Sequence, residues 1–432
     1  MNITNPYRQY MYSYPHKTAY GPLSGIRLED YIQRLVGAQN SLYFHIPFCQ
    51  SKCGYCNLFS VTGQSDEFMS AYVDAMERQA EQLRIILPEG ADFSDLTLGG
   101  GTPLLLSEKQ LQRVFSIARD RMGFKGETII VETSPAQTTE EKVALLKDNG
   151  VTRVSMGVQS FDDAELLALN RCHRPEQVHR AARILKKSKF PCINLDLIYG
   201  IPGQTVESLL DSARQAAEYE PEEMFVYPLY IKKGTFLAQK VTLNPEAVYE
   251  MYQELTDFLK ARGYKQLSMR RFVKDPDSLN RGSCGFENTI SIGCGGRSYI
   301  EDLHFSTPFA VGQRGCVDIL QQYMEKKDFL EVTHGYLLSE EEMRRRYVIK
   351  NILFCCGIDK EEYRSRFGSE PEEDYPLLTE WIWSGMAAAD SAKIYLTERG
   401  ISLSDFLGPA LMSEEVREKM KNAARTKEWG RA

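Results

Sequence analysis

From Ser41 onward, short apolar runs of strand length alternate with longer stretches whose apolar residues recur every three or four positions. Switching between period two and period 3.6 is the mark of consecutive β/α units. The pattern predicts strands over Ser41–Ile46, Leu96–Leu98, Glu127–Glu132, Arg153–Val158, Asn194–Ile198 and Met224–Tyr230. Between the first two, Phe68, Tyr72, Val73, Met76, Ala80, Leu83 and Ile86 mark one apolar helix face. Further helices should begin near Ser107, Thr138, Arg174 and Thr205, several of them at a Ser or Thr cap. Six such strands imply a parallel α/β arrangement, either a barrel-like arc or a doubly wound sheet.

Outside that stretch the pattern changes. Residues 1–40 carry Tyr7, Tyr10, Tyr12, Tyr14 and Tyr20, broken by Pro6, Pro15 and Pro22, which makes no regular helix. This reads as an aromatic-rich arm packing its rings on the body, or as a lid that brings His16 or Lys17 to a substrate. From about residue 240 the pattern is mostly helical, with a strand or two around Gln266–Phe272. Tyr249, Tyr252, Leu255 and Leu259 mark one helix there and residues 340–356 another, on which Arg344–Arg346 read as a solvated or capping cluster. The expected units are therefore an arm over 1–40, a core over 41–240 and a C-terminal region over 241–432.

Composition narrows the class. With 432 residues the chain can bury a large core plus a second unit. A net charge of −7 argues against a general nucleic-acid binder. No apolar run reaches membrane-spanning length, and the start has no signal-peptide core. Ten cysteines without a regular framework point to a reducing cytoplasm.

The unusual residues fall at or just past the strand ends: the cysteine loop, Gly99–Pro103, Glu132, Gln159, Asp196 and Tyr227. Barrel enzymes draw their sites from several C-terminal strand ends at once. The loop YFHIPFCQSKCGYCN holds Cys49, Cys53 and Cys56, spaced C-x3-C-x2-C. Three thiolates fill three corners of a four-iron cube and leave one iron open to a ligand. A zinc knuckle is the plain alternative, but it wants a fourth donor; His45 precedes the loop within an apolar strand pattern. Gly99, Gly100 and Gly101 would let backbone approach a ligand closely, although glycine turns are common. Glu132 and Asp196 end or interrupt apolar strands, so each needs a partner, whether a salt bridge or a polar ligand.

With the aromatic before its last cysteine, the loop resembles the signature of the radical S-adenosylmethionine (SAM) enzymes. Tyr43 through HIPFC and GYC resembles their oxygen-independent coproporphyrinogen III oxidase-like branch. The likeness extends through GGGTP, VETSP, VSMGVQSF, NRCHRP and NLDLIYGIPGQT, and through GYKQLSMRRFV and GCGGRSYI further on. It implies a six-stranded partial (β/α)6 barrel closed by a mostly helical C-terminal region. It implies a 4Fe–4S cluster on Cys49, Cys53 and Cys56 whose open iron binds SAM through its amino and carboxylate groups. Gly99, Gly100 and Gly101 would then meet the methionine end of SAM. Glu132, Gln159, Arg171 and Asp196 would contact its ribose and carboxylate, and Tyr43 and Tyr55 would flank the cluster and adenine. The resemblance further implies a flavodoxin- or ferredoxin-type electron donor and a small-molecule substrate, tetrapyrrole or other.

One position departs from the pattern. The genuine oxidase carries a further cysteine two residues past its last cluster ligand, where this chain has Leu58. The expectation is therefore a subgroup of the family with a substrate of its own. Radical hydrogen abstraction is the first reading; methyl transfer with a second SAM, or a heme chaperone, are the alternatives. Cys284, Cys294 and Cys316 match no auxiliary-cluster spacing, and buried free thiols explain them as well.

Overall fold

The computed structural model describes residues 5–232, 235–239, 244–275 and 288–425. Cys284 lies outside the described residues.

Strand β1 (Gly21–Arg27) precedes β2 (Asn40–Ile46), and the cysteine loop follows, closed by a two-residue parallel pair, β3 (Phe48–Cys49) and β4 (Val61–Thr62). Helix α1 (Asp66–Ile86) is capped by the Ser65 hydroxyl, and its Tyr72, Val73, Met76, Ala80 and Leu83 are buried as one stripe. Four further β/α units follow: β5 (Phe93–Gly100) with α2 (Glu108–Ser116), β6 (Thr128–Thr133) with α3 (Glu140–Asp148), β7 (Arg153–Gln159) with α4 (Asp163–Ala168) and α5 (Pro175–Ser188), and β8 (Cys192–Tyr199) with α6 (Val206–Ala217). Strand β9 (Glu223–Pro228) completes the six. The expected starts hold, with Ser107, Thr139, Arg174 and Thr205 as N-caps. All neighbouring pairs among the six are parallel. The arc, not the doubly wound sheet, is the architecture.

The C-terminal region does more than lay helices over the arc. After α7 (Pro245–Ala261), β10 (Lys265–Gln266) and β11 (Arg271–Val273) add to one edge, β11 running antiparallel to β9. At the other edge β12 (Asn288–Ile292) pairs parallel with β2, extending the parallel run to a strand the repeat pattern did not predict. Beyond it β13 (Arg297–Ile300), β14 (Leu303–Ser306) and, after α8 (Gln313–Glu325), β15 (Glu331–Leu337) run antiparallel, and β1 closes the series on β15. One 13-stranded sheet thus runs through arm, core and C-terminal region. Among the described residues no helix is long and apolar enough to cross a membrane.

The arm is packed. Tyr14 is fully buried, and its hydroxyl donates to Glu342 on α9 (Glu340–Ile352). Tyr10 stacks on Tyr230, and the Arg270 guanidinium lies 3.7 Å above the Tyr10 ring. That guanidinium forms a buried ion pair with Asp405, to which the Tyr230 hydroxyl also donates. The arginines of α9 correct an expectation: Arg344 and Arg345 are not solvated. Their side chains are about one-fifth exposed and paired with Glu340, Glu341 and Asp374, while Arg345 also lies over the Tyr375 ring and donates to Leu411 O.

Candidate metal and cofactor site

The cysteine loop is fixed by backbone pairing on every side. The Val61 N–H donates to Pro47 O at 2.8 Å, closing the loop on itself. Gly101 N–H donates to Ile46 O and Thr102 N–H to Phe48 O, both at 2.8 Å, tying it to the end of β5. Gly54 N–H donates to Leu169 O, and Gly54 O accepts the Leu237 N–H, both at 2.9 Å. His45 is committed elsewhere, hydrogen-bonded to Phe59 O at 3.0 Å and to the Tyr43 hydroxyl at 3.2 Å. Among the described residues no three His, Cys, Asp or Glu side chains gather as a single-ion site. The three loop thiols act on one another's charge: burial, then the charges of Cys56 and Cys53, push the Cys49 thiol up to about 11. Burial and Cys53 raise Cys56 in the same way. A cationic metal center would reverse that cost by holding the thiolates.

The three glycines are required by close approach. A Cβ at Gly101 would stand 2.6 Å from Phe48 O and 2.9 Å from Cys49 Sγ; one at Gly100, whose φ is +115°, would meet the His45 ring at 2.7 Å. A Cβ at Gly99 would lie 2.9 Å from the Glu132 carboxylate and 3.0 Å from the Tyr43 hydroxyl. Gly101→Ala should therefore displace Cys49 and lower the iron bound per chain after anaerobic reconstitution. Gly21→Ala, where a Cβ meets nothing within 4 Å, should match the parent. Equal iron in all three proteins would show that the glycine end of β5 does not shape the loop.

The other predicted residues line the same mouth. Glu132 accepts the Gly100 N–H at 3.0 Å; burial raises its carboxyl, opposed by that bond and by Arg153. Gln159 is almost fully buried in the left-handed region at φ 74°, where a β-bulge against β8 re-aims it. Asp196 faces the mouth, and burial pushes its carboxyl up to about 7 against the Asn194 hydrogen bond at 2.7 Å. Arg171 donates Nη2–H to Gly157 O at 2.6 Å and Nη1–H to Cys53 Sγ at 3.1 Å. Tyr55, raised by burial and by Cys53, packs beside Tyr227, Ile198 and Leu229. The structure thus gathers all the predicted positions at one end of the arc.

Sequence reasoning missed one support, Asn194, and left open where the glycine turn of GCGGRSYI and Lys17 would pack. Asn194 is fully buried and also reaches Ser155 Oγ at 2.7 Å, so it orients Asp196. The Gly293–Gly296 turn lies against β2: a Cβ at Gly293 would meet His45 O at 2.7 Å, and one at Gly296 the Tyr43 ring at 3.2 Å. Lys17 of the arm reaches Asn57 O at 3.3 Å while its ammonium sits 3.6 Å over the Phe309 ring. The arm therefore both packs on the body and touches the cysteine loop.

The residues fit a three-thiolate cluster carrying an amino-acid-bearing ligand. Arg171 Nε and Asn194 Oδ1 are buried without a protein partner, a donor and an acceptor left over at the mouth. Two half-buried carboxylates with raised proton affinity, Glu132 and Asp196, suit a ligand bringing an ammonium and ribose hydroxyls.

Residues 43–216 match the model of the radical SAM superfamily. The chain is 27% identical over 425 residues to the oxygen-independent coproporphyrinogen III oxidase of Escherichia coli, covering 91% of each chain. It is 25% identical over 389 residues to the heme chaperone HemW of Lactococcus lactis, covering 87% of this chain and 98% of that one. To HemW of Escherichia coli it is 30% identical over 260 residues, covering 59% of this chain and 68% of that one. Its fold is similar to that of the solved coproporphyrinogen III oxidase (HemN) of Escherichia coli, with a TM-score of 0.80 over 93% of this chain and 96% of that one at 24% identity.

Proposed function

Because the chain belongs to the radical SAM superfamily, in the branch of oxygen-independent coproporphyrinogen III oxidases and heme chaperones, we propose that it is a cytoplasmic radical SAM oxidoreductase acting on a small organic substrate. The observation that carries this reading is the meeting of three loop thiols with a glycine cradle, two half-buried carboxylates and an incompletely paired arginine. Cys49, Cys53 and Cys56 would hold a 4Fe–4S cluster. When bound, that cluster and SAM supply one-electron cleavage to methionine and a 5′-deoxyadenosyl radical that takes hydrogen from substrate.

The chain's own residues do the rest. Gly99–Gly101 keep the cradle free of side chains so that a ligand backbone can approach. Glu132, held by the Gly100 N–H, receives an ammonium or a ribose hydroxyl. Arg171 Nε is placed to donate to a carboxylate, and Gln159 and Asp196 hold the ribose. Tyr43 and Tyr55 bracket the cluster and adenine. We take residues 41–240 as this core, closed by the arm 1–40 and the region 241–432. A flavodoxin- or ferredoxin-type protein would deliver the electron.

Asp196 gives the reading a pH signature. Its folded carboxyl keeps its proton to about 7, so its contribution to stability is present below about pH 4 and is lost as pH rises through 7. As a hydrogen-bond acceptor for ribose it works in the opposite sense. SAM affinity should rise about tenfold from pH 6 to pH 8, following ionisation of one group. Asp196→Asn should flatten that profile, as read by calorimetry on reconstituted protein. A flat parent profile would remove Asp196 from the ribose site.

Anaerobically reconstituted protein given SAM and dithionite should form 5′-deoxyadenosine; a protein loaded with iron that forms none would refute the enzymatic reading. The heme-chaperone alternative has support of its own in the two HemW relatives and in Leu58. It predicts stoichiometric heme binding without substrate turnover, whereas methyl transfer with a second SAM predicts S-adenosylhomocysteine.

A further inference from the structure

The contact between Arg171 and Cys53 joins residues 118 positions apart and is held from several directions. Arg171 N–H donates to Leu166 O at 2.9 Å, and the preceding Asn170 adopts φ 55°. The same turn grips the cysteine loop twice more. Gly54 N–H reaches Leu169 O at 2.9 Å, and Asn170 Nδ2 reaches Lys52 O at 3.0 Å. Nη2 is anchored on Gly157 O at 2.6 Å, which fixes the plane of the guanidinium and aims Nη1 at the sulfur. The three thiols are not treated alike. Cys49 has the Thr102 hydroxyl at 3.9 Å, a weaker and uncharged neighbour, while Cys53 has a guanidinium at 3.1 Å. A charged donor on a ligand sulfur is one of the levers by which a protein sets a cluster's potential.

We propose that Arg171 tunes the reduction potential of the iron–sulfur cluster by donating Nη1–H to the Cys53 thiolate, in addition to any contact with SAM. The inference rests on the cluster assignment above. Adding an electron increases the negative charge on the cluster and its thiolates. A cationic donor at Cys53 favours the reduced state over the oxidised one and so raises the potential. Arg171 is in this respect a positioning residue, acting through Cys53 Sγ, while its Nε is buried without a protein partner.

The test uses the full-length, anaerobically reconstituted chain without SAM, so that altered SAM binding does not enter. EPR-monitored redox titration of the parent, Arg171→Lys and Arg171→Met should give a lower potential for Met and an intermediate one for Lys, at matched iron content. Identical potentials in the three proteins overturn the proposal. If Arg171→Met fails to assemble a cluster, the parent itself decides. Grown with guanidinium-15N arginine and reduced, it should show 15N coupling to the cluster in pulsed EPR, and absence of coupling overturns the proposal. A parent that binds no cluster at all overturns the cluster assignment and this inference with it; a normal cluster with unshifted potential and no coupling overturns this inference alone.

Discussion

Chains carrying Cys49→Ala, Cys53→Ala or Cys56→Ala are each expected to lose the brown charge-transfer band on reconstitution and to drop to background in 5′-deoxyadenosine formation. The effect should be total for each, since a cube held by three thiolates has no spare ligand among them. The remaining thiols supply the control. Cys294 is buried with its sulfur 3.4 Å from the Thr307 hydroxyl, and Cys316 is buried 3.4 Å from Ala310 O. Both thiols are buried and hydrogen-bonded within the fold, so Cys294→Ala and Cys316→Ala should keep the parent's iron content. Retention of iron and activity in any one loop variant would mean that another side chain ligates the cluster.

The second large effect concerns stability. Glu223 opens β9 with no solvent exposure of its side chain, and its two oxygens are taken by Arg153, at 2.6 Å, and by Arg271. The triad ties β7, β9 and β11 together beneath the candidate site. Glu223→Gln leaves two largely buried guanidiniums without their counter-charge and should cost about 3–5 kcal/mol. A clear fall in the thermal unfolding midpoint at unchanged protein concentration is the readout. Replacing the whole triad by apolar residues of similar volume should recover most of the loss, because the desolvation of all three charges is then removed. An unaltered midpoint in Glu223→Gln would mean that the triad contributes little.

Much of this molecule could be read from its sequence, and the exceptions have physical causes. Elements whose signal is local were legible: the α1 stripe, the caps at Ser107 and Thr205, and the six strands with special residues at their ends. The glycine cradle and the loop thiols were legible because their spacing is itself the chemistry. Strand β12 was not, since Asn288–Ile292 is short and belongs to no β/α repeat, yet it completes the parallel run at β2. Strand β1 hides in GPLSGIR, whose alternation is broken by Gly and Pro and whose edge position leaves it only partly buried. Buried charges were the other blind spot. Glu223 and Arg271 look like ordinary strand-flanking residues until the fold makes them neighbours, and the α9 arginines look solvated until Asp374 and Tyr375 come against them. Arg171 could be assigned to the mouth, but its bond to Cys53 depends on a turn that only tertiary structure supplies.

If one iron of the cluster lacks a protein ligand and is taken by SAM, the EPR spectrum of the reduced, reconstituted protein should change when SAM labelled with 15N in its amino group is added, and should show 15N coupling to the cluster. An unchanged spectrum, at SAM concentrations that calorimetry shows to be saturating, would mean that no iron is open to SAM.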